Sequence, residues 1–67
     1  MSKIIRNRRL DVNDSEINEY YLSSGGDSVY CYPDMPCPGL YDSHDRLISR
    51  HESLIDLESS LSTILSA

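Results

Sequence analysis

Sixty-seven residues make one domain at most, and eleven Asp and Glu against six Lys and Arg leave a net charge of −5. A chain this short is marginal on its own core. The acidic balance excludes broad nucleic-acid binding, which needs a basic face.

Composition sharpens this picture. The aromatics are five Tyr, with no Trp or Phe, and Tyr brings a hydroxyl that needs a partner. No run approaches the ~18 apolar residues of a membrane span, and no apolar leader follows the charged start. A cytoplasmic or virion-borne protein with reduced thiols is expected.

Residues 1–11 read as a basic arm. Lys3, Arg6, Arg8 and Arg9 are four of the six positive charges, leaving −9 on the rest of the chain. Such an arm is suited to phosphate or an acidic protein surface, and it is the one place where nucleic acid could be touched. Ile4 and Ile5 are adjacent, so a short strand from Lys3 to Arg6 would send them to opposite faces.

Residues 12–41 form the second segment. Asn13 followed by Glu16 resembles a capping box. Val12 and Ile17 are spaced for a hydrophobic staple, and Gly25-Gly26 supplies a stop. These end signals predict a short helix from about Asp14 to Ser23, with Ile17, Tyr20 and Tyr21 on its buried edge. A hairpin competes: a strand over Ile17–Leu22, a turn at Gly25-Gly26 and a second strand over Ser28–Tyr32. Pro33, Pro36 and Pro38 then make residues 27–41 an irregular connector, pinned by Tyr30, Tyr32 and Tyr41.

Residues 42–67 predict one long amphipathic helix capped by Asp42 or Ser43. Leu47, Leu54 and Leu61 recur every seven residues, with Leu57 and Ile64 three beyond the second and third. That is an a/d seam. Leu65 joins it, and Ile48 and Ile55 flank it. These eight residues form the candidate interface, because the rest of the chain offers few apolar residues to cover them. The expected fold is mostly α with an irregular middle. No internal repeat is apparent.

Candidate chemistry is sparse. Cys31, Cys37, His44 and His51 make C-x5-C-x6-H-x6-H. Zinc modules use tighter spacings, and two His seven apart on one helix stand ~10 Å apart along it. Two small thiols and two ordinary His are the simpler reading. His44 and Asp45, with Asp42 nearby, could form a general-base group, but no nucleophile is positioned by sequence. Neither a cofactor nor a catalytic residue is called for. Leu22-Ser23-Ser24-Gly25-Gly26-Asp27-Ser28-Val29 is similar to the attachment loop of phosphopantetheine carrier domains. In that family the Ser opens a long amphipathic helix, whereas Ser28 here runs into Val-Tyr-Cys-Tyr-Pro.

The function expected from sequence is therefore non-enzymatic: a protein-interaction module that self-associates or docks through its C-terminal helix. A small virion or assembly accessory subunit would be of this kind. The alternative is a small acidic inhibitor, a nucleic-acid mimic that decoys a host enzyme.

Overall fold

The computed structural model describes residues 2–66, and in it the basic arm is a strand. Ile4–Leu10 forms β1, which pairs antiparallel with β2 (Glu16–Leu22) along its whole length. Strands β3 (Val29–Cys31), β4 (Gly39–Tyr41) and β5 (Leu47–Arg50) follow, and the sheet order is β1-β2-β3-β4-β5. Two short helices, α1 (Leu54–Ser59) and α2 (Leu61–Ser66), end the chain. The architecture is a five-stranded antiparallel meander with a helical cover, so the expectation of a mostly α fold is overturned.

The expected helix over residues 14–23 is a strand because its end signals serve a turn instead. Asp11 Oδ1 accepts the backbone N–H groups of Asn13 at 2.8 Å and Ser15 at 2.9 Å. Asp14 N–H bonds Asp11 O, and Asp11 N–H bonds Ser15 O. Asp14 takes φ +62°, the left-handed position that ends this kind of tight hairpin turn and that Asp tolerates. Val12 is 97% exposed, so no staple forms. Glu-Ile-Asn-Glu-Tyr-Tyr-Leu is then free to follow its strand propensity. Gly25 and Gly26, both with positive φ, turn β2 into β3.

The expected long helix over residues 42–66 fails for the same reason. Asp42 accepts N–H bonds from His44 and Arg46, both at 2.9 Å, and Asp45 takes φ +63°. Asp42 N–H bonds Arg46 O while Asp45 N–H bonds Asp42 O. The turn over residues 42–46 therefore repeats the bonding of residues 11–15. Leu47 and Ile48 lie on β5, where a bulge separates the Leu40–Ser49 and Tyr41–Leu47 pairings. The helix begins only at Ser53, whose side chain accepts Asp56 N–H at 3.1 Å. It is interrupted at Ser60. No coiled coil forms, because the heptad seam is divided between a strand and two short helices.

The real stripe is Leu54, Leu57, Leu61, Ile64 and Leu65. It packs against Tyr20, Val29, Cys31 and Leu40 on one face of the sheet. Leu57 and Leu61 are buried by the chain's own strands. The connector expected over residues 27–41 thus contains two strands, and its Pro38 is fully buried. Gly39 is fixed by close approach: a Cβ there would lie 2.8 Å from Leu47 Cδ1 and 3.4 Å from the Tyr41 ring.

Leu57→Ala should cost ~2–5 kcal/mol, as large-to-small changes in packed cores do. Ile55→Ala, on the exposed side of the same helix, should change stability by no more than ~0.5 kcal/mol. Urea unfolding of the two variants checks the assignment of faces.

Candidate functional site

Strand alternation sends Asn18 and Tyr20 toward the helices and Ile17 and Glu19 to the opposite face. The helix side holds a buried polar network. The Tyr20 hydroxyl donates to Glu58 Oε2 at 2.8 Å and accepts from Asn18 Nδ2 at 3.2 Å. Glu58 Oε2 also meets Arg6 Nη1 at 3.4 Å. Burial first, and the bond to Glu58 second, push the Tyr20 phenol well above its usual range. Burial likewise pushes the Cys31 thiol up, so Cys31 is held as a neutral thiol rather than a nucleophile.

The opposite face has no helical cover. Tyr30 stacks on Tyr41 with ring centroids 5.4 Å apart and planes 23° apart. Tyr32 meets Tyr30 at 6.0 Å and 78°. Tyr30 and Tyr32 share this face because they are two apart on the β3 line. Together with Ile17, Arg9, Leu10 and the turn at Asp11–Asn13, they line a cleft of about 470 Å³ that Asp45 borders. A second cleft of about 340 Å³ adjoins at Tyr32 and is lined by Asp14, Ser15, Glu16, Asp34 and Met35.

The electrostatics of the larger cleft come from its turns. The Tyr30 hydroxyl donates to Asp45 Oδ1, and that bond raises the Tyr30 phenol to about 12. Backbone N–H bonds, chiefly from Ser15, hold the Asp11 carboxyl below its ordinary value. Burial first, and the nearby Asp11 second, push the Tyr32 phenol up. The cleft is therefore a corner of neutral phenol rings edged by two aspartates.

The residues singled out from sequence are dispersed. Cys31 is buried and Cys37 exposed. His44 lies in the β4–β5 turn, and His51 follows β5. Among the described residues no group of three or more His, Cys, Asp or Glu is placed to hold a metal ion. Asp42 uses its carboxylate on its own turn and on Arg46, not on His44 as a general-base partner. Ser28 immediately precedes β3 and donates to Glu19, so the carrier-loop similarity ends where a helix would begin. Arg6, Arg8 and Arg9 are locked in β1, where Arg9 lies 3.8 Å from Glu19.

Sequence reasoning missed a Ser-His-Asp order. Ser49 Oγ lies 2.7 Å from His51 Nε2, and His51 Nδ1 lies 3.0 Å from Asp56 Oδ2. This is the hydrogen-bond order of a serine hydrolase. None of the three residues lines either cleft, and Asp56 is more than half exposed. The arrangement ties β5 to the first turn of α1. The Tyr30–Tyr32 corner was missed as well; the alternation of Tyr at 30 and 32 beside two Asp-x-x-Asp turns was its only signal.

No family model, no curated protein and no solved structure matches the chain.

Two titrations follow from these causes. Asp11 and Asp42 both sit below the ordinary carboxyl value of 3.8. A depressed folded value adds stability above the unfolded value and loses it as pH falls through the folded one. Acid unfolding should steepen below about pH 4, and the Asp11→Asn/Asp42→Asn variant should flatten that part of the curve. The Tyr30 phenol has the opposite sign. Its stabilisation is complete below 10.0 and disappears as pH rises to about 12. Phenolate absorbance of the folded protein should lose one tyrosine's amplitude at about pH 12 in Tyr30→Phe, while the later step of buried Tyr20 remains.

Proposed function

We propose that this protein is a non-enzymatic protein-interaction module whose working surface is the uncovered tyrosine face of its sheet. One observation carries the reading: among the described residues the helices lie on only one side of the sheet. The other side presents Tyr30, Tyr32 and Tyr41 beside exposed Leu47. Tyr is enriched where proteins meet, because it gives rigid apolar area with a polar tip. Exposed apolar side chains grouped at one cleft mark interaction sites more often than scattered ones do.

The surface differs from the one expected from the leucine seam. Leu57 and Leu61 serve the protein's own core, while Leu47 lies on β5 beside Gly39 and Tyr41. An acidic decoy has less support. Glu58 bonds inside the core and Asp42 bonds its own turn, so part of the negative charge is spent internally rather than displayed as a row.

Position-resolved crosslinking in the native host tests the proposal. A photoreactive residue at Leu47, or at Val12, which is exposed at the tyrosine cleft, should give discrete protein adducts. The same residue at Ile55, exposed on the helical side, should not. Equal adducts from all three positions, or none from the sheet face, would sink it.

A further inference from the structure

Resting on that reading of the open face, we infer that the tyrosine cleft takes an arginine side chain presented by an extended basic segment of a partner protein. Tyr30 and Tyr32 meet edge to face at 78° and both line the cleft, and aromatic faces attract cations through their quadrupole. Tyr41 stacks behind Tyr30 and fixes its plane. The phenol of Tyr30 donates to Asp45, and that bond pushes electron density into the ring. A guanidinium suits this corner better than an ammonium. It is planar, it stacks on rings, and its fork matches a carboxylate.

Charge points the same way. Asp11 and Asp45 border the cleft, and among the described residues no ion pair includes either of them. Arg9 also lines the cleft, but its guanidinium is drawn to Glu19. The adjoining cleft continues the acidic character with Asp14, Glu16 and Asp34. A second cation a short distance along the same segment would therefore meet carboxylates too. That continuity selects an extended peptide over an isolated small cation.

The basic segment of a second copy, residues 3–9, does not fit as the occupant. Arg6, Arg8 and Arg9 lie within β1, which is paired to β2 over its full length. The Lys3 backbone is tied to Ser23. Pulling this segment out to reach a neighbour would dismantle the sheet that builds the cleft.

The test uses the full-length protein and the blocked peptide acetyl-Gly-Arg-Gly-Arg-Gly-amide, followed by backbone amide NMR at about 0.15 M salt, where long-range attraction is screened. Shifts are expected at residues 11–13, 30–32 and 45. Asp11→Asn/Asp45→Asn should weaken binding roughly tenfold, on the scale of a charged contact combined with cation–π attraction. Tyr30→Leu, which keeps bulk and removes the ring, should weaken it as well. Asp27→Asn/Glu52→Gln changes net charge by the same amount away from the cleft and should have less than about twofold effect. The amide spectrum of each variant reports directly whether the sheet is intact. Equal weakening by the control pair, shifts scattered over all acidic residues, or no binding would overturn the inference. None of these results would touch the crosslinking outcome at Leu47, so the two proposals fail separately.

Discussion

Leu57 and Leu61 closing over Tyr20 and Leu40 is the contact on which the rest of the structure depends. A short meander cannot bury both faces with the residues this chain has. Eight of its sixteen Ile, Leu and Val residues lie from Leu47 onward. The chain spends the second half of that stripe as a cover and places Leu47 and Ile48 on a strand. The Tyr20–Glu58 bond then sets where α1 sits, because an acid facing the core must find its hydroxyl. Arg6 reaches the same carboxylate from β1. One hydrogen-bonded carboxylate thereby links an edge strand, a central strand and the helix.

The turns explain why the sequence misleads about the front half. Asp accepts backbone N–H groups two and four residues on, in a hairpin turn as readily as at a helix start. Asn13 with Glu16, and Asp42 with Asp45, therefore look like caps. What separates the two uses is Asp14 and Asp45 in the left-handed region, a position where Gly would have announced the turn. The repeat Asp-x-x-Asp at 11–14 and 42–45 is visible in the sequence, but at four residues it is too short to stand out. The helix start actually used is Ser53, capping Asp56 N–H. The seven-residue spacing of Leu47, Leu54 and Leu61 then bridged a strand and a helix by coincidence.

Other features were legible. The Leu54–Leu57–Leu61–Ile64 stripe is helical and buries its apolar side, as its spacing implies. The competing hairpin over residues 17–32 has the turn at Gly25-Gly26 that is found between β2 and β3. The cleft was not legible, because its walls come from residues 9–13, 17, 30–32 and 45. Only the β1–β2–β3 register brings the first turn beside Tyr32, and no local pattern encodes that register. Tyr30, Tyr32 and Tyr41 were expected to pin an irregular connector to a surface. That surface turned out to be one they form with each other.

The arginines bear on how the edges of the sheet are kept from pairing. β1 is a seven-residue edge strand with all its residues exposed, the kind of edge that invites another strand. If two copies paired antiparallel about Asn7, Arg6 of each would stand opposite Arg8 of the other. Like charges directly opposed across a ladder are destabilising. The far edge, β5, is short and carries the bulge near Ile48, and bulges also disfavour edge pairing. Both routes to sheet extension are thus obstructed while one face stays open. The basic segment expected as a free arm is instead a charged edge strand, and among the described residues the tyrosine face keeps no helical cover.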